Sequence, residues 1–154
     1  MPYLPTYDPR DPRYKAPYGA AVSGTQVRFT LRPPRMEGYS HASMHARFES
    51  WNDQILIMKM PWQGFEEGHD LFEAELDTAG YIGLIWYSFR LEKIDGRTQD
   101  LGPYQLTVYD GTEEVPAWFG EGTTYQIFPD RFRRSRIPDP TGMVGGRTVH
   151  QSWE

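Results

Sequence analysis

Apolar and polar residues alternate along several short stretches in the first two thirds of the chain. In the clearest of these stretches, apolar Val27, Phe29 and Leu31 are separated by polar residues, and the run stops at Pro33. A period of two is typical of a strand with one buried face. The same reasoning predicts further strands at residues 45–51, 54–60, 71–77, 83–93 and 103–109.

Turn-forming residues separate these predicted strands. They occur at Gly38, Asn52-Asp53, Gly64 to Gly68, Ala79-Gly80 and Asp95-Gly96. Such spacing is typical of antiparallel strands joined by short loops. The pattern therefore predicts an all-β fold, closed as an antiparallel β-sandwich of immunoglobulin-like architecture. Because the chain has no cysteine, only the architecture is predicted, and not a true immunoglobulin domain.

The two ends of the chain lack this alternation. Residues 1–20 combine five prolines with four tyrosines, which blocks both helix and central strand and predicts an extended arm. After Tyr109 the alternation breaks, and residues 133–154 show no period. A β-rich run between these stretches, residues 123–132, stands apart from the predicted sandwich.

Three tryptophans are candidates for binding a carbohydrate. In the predicted strand 83–93, the alternation assigns Ile85, Tyr87, Phe89 and Leu91 to the core, so Trp86 lies on the opposite face. A flat indole ring there could stack on the apolar face of a glucose unit. Trp51 and Trp62 flank residues 52–61 at positions near loops. Each ring has a second interpretation, in which it caps the core or contacts a further domain.

Other polar residues carry weaker signals. Glu66, Glu67 and Asp70 are grouped between predicted strands and are interpreted as a solvated loop. His41 and His45 have metal-ligand spacing only in a helix, and no nearby residue completes a site. We therefore expect no metal and no cofactor.

The eight-residue run Tyr125-Gln-Ile-Phe-Pro-Asp-Arg-Phe132 resembles the opening barrel strand of alpha-amylase family enzymes. The likeness is greatest to the neopullulanase, cyclomaltodextrinase and maltogenic amylase branch of glycoside hydrolase family 13. Residues 83–89 and 102–110 are similar to strands of the N-terminal sandwich module in that branch. The residues that carry the barrel-strand motif are Tyr125, Gln126, Pro129, Asp130, Arg131 and Phe132.

The resemblance implies a domain organisation. Residues 1–20 form the arm, 21–112 a β-sandwich module of carbohydrate-binding type, and 113–122 a linker. Residues 123–154 are then the truncated start of a (β/α)8 catalytic barrel, with its incomplete first strand. A whole barrel takes about 250 residues, so most of it is expected to be missing from this chain. Relatives bind calcium after the Arg-Phe pair, but Arg133-Arg-Ser-Arg136 lacks the oxygen ligands that calcium needs.

The resemblance also implies a function. Retaining glycosidases use two carboxyl groups about 5 to 5.5 Å apart, and in this family they lie on later barrel strands. No residue of this chain is therefore expected to be catalytic, and we expect it to be the N-terminal, non-catalytic part of a hydrolase acting on α-1,4-glucans such as maltodextrin, cyclodextrin, pullulan or starch. Expected partners are the glucan, the missing barrel and a second subunit. The alternative is a stand-alone sandwich that binds glucan or another protein without enzyme activity.

Charge and composition narrow the partners further. The formal net charge is -5 with a pI near 5.4, so the chain lacks the positive field that nucleic-acid binding requires. No apolar stretch approaches the roughly 20 residues needed to cross a bilayer. The N-terminus has no signal-like apolar run and there is no cysteine. We therefore expect a cytoplasmic protein that binds neither nucleic acid nor membrane.

Overall fold

The computed structural model describes residues 5–112, with Trp118, Glu121, Thr123, Gln126 and the backbone of 143–144 and 147–148. The chain divides into two compact units, residues 1–114 and 115–154. In the second unit, strands β10 (Met143–Val144) and β11 (Arg147–Thr148) form an antiparallel pair.

Within residues 5–112, the first unit contains strands and two short 3-10 helices. The 3-10 helices are Arg35–Glu37 and Glu49–Trp51. The strands are β1 Lys15–Ala16, β2 Ala21–Val22, β3 Gln26–Leu31, β4 Tyr39–Phe48, β5 Gln54–Lys59, β6 Trp62–Glu66, β7 His69–Asp77, β8 Gly83–Lys93 and β9 Thr98–Tyr109.

Within residues 5–112 the strands form two sheets. Sheet A has the order β1-β3-β7-β6, and sheet B has the order β2-β9-β8-β4-β5. The all-β prediction is confirmed, and the two sheets make a sandwich-like arrangement. Neighbouring strands are antiparallel except β2 and β9, which pair in parallel through Ala21 and Val108. This parallel pairing lies at the edge where the chain enters sheet B from the arm.

The core fills the space between the sheets with alternate residues of the longer strands. The alternation predicted for strand 83–93 is confirmed, since Ile85, Tyr87, Phe89 and Leu91 are all buried. Sheet A contributes Val27, Phe29, Leu31, Phe72 and Leu76, and β4 contributes Ala42, Met44, Ala46 and Phe48. Burying one large apolar side chain stabilises a fold by about 1.5–3 kcal/mol, so these strands hold the sandwich together.

Strands β4, β6 and β9 differ most from the predictions. Strand β4 extends from Tyr39 to Phe48, whereas residues 45–51 were predicted. The prediction missed its first half because the buried face starts at the small residue Ala42. The strand ends at Phe48 because residues 49–51 form a 3-10 helix. Strand β9 begins at Thr98, well before Pro103. Strand β6 was predicted as loop, because Gly64 and the following glutamates suggest a turn.

The arm packs against the sandwich. Strand β1 pairs with β3, and the Arg32 N–H donates to the Thr6 carbonyl at 2.8 Å. Tyr7 and Tyr14 are buried, and the hydroxyls of Tyr7 and Tyr87 are hydrogen-bonded at 2.9 Å. Burial raises the pKa of Tyr7 and raises the pKa of Tyr87 to about 12. The arm therefore supplies part of the core.

Candidate functional site

The three predicted carbohydrate-binding tryptophans lie in different parts of the sandwich. Trp62 is the first residue of β6 in sheet A, whereas Trp86 lies in β8 of sheet B. Trp51 ends the 3-10 helix that follows β4. The structure places Trp62 and Trp86 on different sheets, so the two rings do not share one face.

Trp51 packs against the end of the core. Its ring stacks on Phe48 with centroids 5.3 Å apart, and it meets the edge of Tyr81 at 5.1 Å. This packing corresponds to the interpretation in which the indole caps the core.

Trp86 is half-buried on the outer face of sheet B. Its Nε1–H donates to Glu49 Oε2 at 2.7 Å, which holds the indole in one orientation. In the sheet it lies between Arg47 and Gln105, so only part of its ring faces solvent.

Trp62 is more exposed and belongs to a connected group of side chains. Its Nε1–H donates to Asp70 Oδ1 at 3.0 Å, and 54% of the residue is exposed. Arg35 donates to the same oxygen at 2.9 Å, and its guanidinium carbon lies 4.7 Å from the centroid of the Phe65 ring. Phe65 is 62% exposed. We call Arg35, Trp62, Phe65 and Asp70 the Trp62–Phe65 surface.

A β-bulge explains why both aromatic rings lie on the same side of sheet A. Residues three apart in a regular strand point to opposite faces. Here the register shifts between Trp62 and Gly64, so that Trp62 pairs with Phe72 and Phe65 pairs with Asp70. Phe72 and Asp70 are two residues apart on β7 and share a face. Gly64 has φ +135, a conformation that side chains rarely adopt, so glycine permits this bulge.

Asp70 was predicted to lie in a solvated loop, but the structure places it in a strand with its side chain buried. Its side chain is buried, and both Trp62 and Arg35 donate to it. Glu66 and Glu67 remain exposed and face the Arg32 guanidinium at 2.9 and 3.8 Å. The prediction was wrong for Asp70 because the β6–β7 hairpin turns only at residues 67–68, and Asp70 is already in the strand.

The Trp62–Phe65 surface has the chemistry of a sugar-binding platform. Two exposed rings supply flat apolar faces, while Asp70 oxygens accept and the remaining Arg35 N–H groups donate hydrogen bonds. The contacts that Asp70 makes hold Trp62 and Arg35 in place before any ligand arrives. Sequence reasoning found Trp62 but missed Arg35 and Phe65, since neither stands in a regular alternation; the Trp-Gln-Gly-Phe spacing around a glycine is the signal that points to them.

The other candidate groups do not form such a platform. His41 and His45 lie in strand β4, where residues four apart are about 13 Å apart. Within the described residues, no three His, Asp or Glu side chains are grouped as metal ligands. A cavity of about 170 Å³ lies between the arm and β9, lined in part by Tyr18, Gln105 and Lys15. The Lys15 Nζ already donates to the Pro17 and Gly19 carbonyls, and burial lowers the pKa of Lys15.

The barrel-strand motif falls largely outside the described residues. Tyr125, Pro129, Asp130, Arg131 and Phe132 are not among them, and Gln126 is exposed without regular secondary structure. The described part of the chain contains no helix that is long and apolar enough to span a membrane.

Comparison with known proteins identifies relatives among amylolytic enzymes. The chain is 29% identical over 150 residues to the amylopullulanase of Thermoanaerobacter thermohydrosulfuricus, covering 82% of this chain and 10% of that protein. It is 28% identical over 148 residues to the amylopullulanase of Thermoanaerobacterium saccharolyticum, covering 82% and 11%. Both relatives belong to glycoside hydrolase family 13. The predicted relationship to alpha-amylase family enzymes is confirmed.

These relatives are much longer proteins. The chain spans about a tenth of the length of the curated relatives it matches. They are amylopullulanases, so they support the family and do not test the predicted branch. No family model matches the chain.

The fold also has a counterpart among solved structures. The cycloalternan-degrading enzyme from Trueperella pyogenes, solved with a covalent intermediate, matches with a TM-score of 0.50 over 66% of this chain and 17% of that chain. At 14% sequence identity, this likeness bears on the fold alone. It shows that a similar sandwich occurs in a larger enzyme.

Proposed function

We propose that this chain is the non-catalytic part of a hydrolase that acts on α-1,4-glucans, and that its sandwich binds the glucan through the Trp62–Phe65 surface. The observation that carries the proposal is the exposed Trp62 ring, held by a buried carboxylate beside a second exposed ring. The relatives support the substrate class, because amylopullulanases act on α-glucans.

The arrangement of Trp62, Phe65 and their polar neighbours suits a glucan chain. Consecutive glucose units each present an apolar face, and two rings on one side of the sheet can each contact one. Asp70 and Arg35 lie beside the rings, where they can reach sugar hydroxyls. Because the indole is already oriented, binding costs little side-chain entropy.

The same surface is unsuited to bond cleavage. A retaining mechanism needs two carboxyl groups facing one glycosidic bond. The Trp62–Phe65 surface has one, Asp70, whose oxygen already accepts from Trp62 and Arg35. The resemblance assigns the catalytic carboxyl groups to later barrel strands, so we assign this chain the roles of binding glucan and supporting the barrel.

Binding of maltoheptaose tests the proposal. Titration of the 154-residue chain, followed by calorimetry, is expected to show saturable binding. The substitution Trp62→Ala should weaken it by about tenfold or more, as for the central ring of a binding surface. Phe65→Ala should weaken it as well.

A matched control is an exposed ring elsewhere on the sandwich. Tyr109 lies at the end of β9 in sheet B and is exposed, so Tyr109→Ala should leave binding unchanged. The proposal fails if the unmodified chain does not bind maltoheptaose, or if Trp62→Ala and Tyr109→Ala bind equally. A lack of binding would favour a sandwich that contacts protein only.

A further inference from the structure

The cavity between the arm and sheet B shares no residue with the Trp62–Phe65 surface. It has a volume of about 170 Å³, and its lining comes from the arm together with β8 and β9. Two of its lining residues, Lys15 and Tyr87, are only 3% and 1% exposed. Arg10, Gln105 and Thr107 also line it and are exposed. The cavity is therefore accessible to solutes and reaches a buried lysine.

The ammonium group of Lys15 has no counter-charge among the described residues. Its Nζ donates to the carbonyl oxygens of Pro17 and Gly19, which are neutral acceptors. None of the ion pairs within residues 5–112 includes it. A buried charge is costly unless it is paired, and burial accordingly lowers the pKa of Lys15. Since an ammonium has three N–H groups, one remains for a further acceptor.

The charge of the cavity is opposite to that of the whole chain. The formal net charge of the chain is -5, yet the described lining contains the cations Lys15 and Arg10 and no carboxylate. The nearby Asp8 accepts from the backbone N–H of Arg10, and the Arg10 guanidinium forms no ion pair within residues 5–112. A concave surface of one charge sign concentrates its potential, so this cavity is suited to an anion.

Neutral donors on β9 belong to the same lining. Gln105 and Thr107 are two residues apart on this strand, so their side chains share a face of sheet B. Gln105 Nε2 lies 3.4 Å from Thr107 Oγ1. A side-chain amide and a hydroxyl can each donate to the oxygen atoms of an anion. The lining therefore offers cationic donors from the arm and neutral donors from β9.

The volume of the cavity limits the size of the anion. Pockets for drug-sized ligands measure about 300–1,000 Å³, whereas a cavity of about 150 Å³ can hold one benzene molecule. The volume here, about 170 Å³, thus suits a molecule of roughly six non-hydrogen atoms. Inorganic phosphate and acetate are of this size, and a glucose unit has about twice as many atoms.

We propose that this cavity binds a small oxyanion, a phosphate or a short carboxylate, through Lys15 and Arg10 of the arm, with neutral donors from β9. The anion neutralises the buried ammonium and accepts its remaining N–H. Because the lining comes from both the arm and sheet B, the bound anion also links the arm to the sandwich. A ligand that binds only the folded state stabilises it. This inference does not depend on the proposed glucan binding.

Thermal unfolding of the 154-residue chain with sodium phosphate or sodium acetate tests the site. Each anion is added up to about 20 mM, with sodium chloride holding the ionic strength constant, because phosphate at high concentration stabilises proteins in general. We expect a saturable rise in Tm of about 5 °C and a Kd on the order of millimolar. A rise with only one of the two anions identifies the phosphate or the carboxylate as the ligand, and a rise with both identifies a site for either.

A matched pair of lysine variants locates the effect. Lys15→Met keeps an unbranched apolar side chain and removes the ammonium, so the rise in Tm should be lost. Lys59→Met makes the same change in net charge at an exposed position of β5, and it should keep the full rise. Arg10→Gln, at an exposed position, should weaken binding by about tenfold.

Nuclear magnetic resonance of the unmodified chain gives a measurement that does not depend on how Lys15→Met folds. The chain has three lysines, Lys15, Lys59 and Lys93, so labelling lysine with carbon-13 gives three Cε signals. The anion should shift the Lys15 signal and leave that of Lys59 in place. The proposal is overturned if neither anion gives a saturable rise in Tm, if Lys15→Met and Lys59→Met respond equally, or if the Lys15 signal does not move.

Discussion

The proposed glucan contact depends on single residues whose positions the tertiary structure sets. Asp70 was expected to be solvated with Glu66 and Glu67, yet it is buried and holds Trp62 and Arg35. Gly64 permits the bulge that brings Trp62 and Phe65 to one side. Neither role is visible in an alternating pattern, because a bulge breaks the period of two on which that pattern depends.

The buried pair of Tyr7 and Tyr87 predicts how stability depends on pH. Burial raises the pKa of Tyr87 from its ordinary 10.0 to about 12. A group with a raised folded pKa contributes stability that is complete below the unfolded pKa and is lost as pH rises through the folded one. We therefore expect the free energy of unfolding to fall by about 2 kcal/mol from Tyr87 alone between pH 8 and pH 11.5.

Urea unfolding at pH 8 to 11.5 measures this effect. The double variant Tyr7→Phe and Tyr87→Phe retains the rings but has no hydroxyl to ionise, and its stability should fall less over the same range. An equal fall in both proteins would show that other groups control the alkaline transition.

At the scale of elements, the arm of residues 1–20 is part of the fold. Tyr14 is buried, its hydroxyl donates to the Pro5 carbonyl at 2.9 Å, and its ring meets the edge of Tyr7. Composition predicted an extended arm, but proline spacing does not reveal how many of its tyrosines enter the core. Their number depends on the sandwich side chains that the arm meets, such as Phe89 and Tyr104, whose rings contact Tyr7.

Two of the four tyrosines in the arm, Tyr14 and Tyr18, provide a test of this role. Tyr14→Ala should lower the free energy of unfolding by about 3–5 kcal/mol, the usual cost of deleting a large buried ring. Tyr18→Ala, at an exposed position of the same arm, should change it by less than about 0.5 kcal/mol. Chemical denaturation compares the two. If Tyr14→Ala lowers the free energy of unfolding as little as Tyr18→Ala does, the arm does not pack on the sandwich in solution.

Strands with strict alternation could be predicted well, and strands without it could not. β8 was predicted with its observed bounds because four large apolar residues mark its inner face. β6 was missed because Gly64 and Glu66 suggest a turn, although hydrogen bonds from β7 outweigh these local preferences.

At the scale of the whole molecule, the first unit should fold by itself. The described core side chains, from Tyr7 to Val108, all belong to residues 1–114. A chain ending at residue 114 is therefore expected to unfold cooperatively with a transition close to that of the 154-residue chain.

Circular dichroism during thermal unfolding makes this comparison, with limited proteolysis of the longer chain as a second measurement. A protected fragment ending near residue 114 is the expected product. An unfolded 1–114 chain would show that residues 115–154 are needed for the sandwich.

The sequence by itself determined the all-β class, the inner face of the main strands and the relationship to alpha-amylase family enzymes. These depend on local patterns, since alternation reports burial and a motif reports ancestry. The tertiary structure alone decided that Trp62 and Trp86 lie on different sheets, that Asp70 orients Trp62, and that β5 forms an edge. Each of these depends on which strands become neighbours, which is set by contacts between residues far apart in the chain.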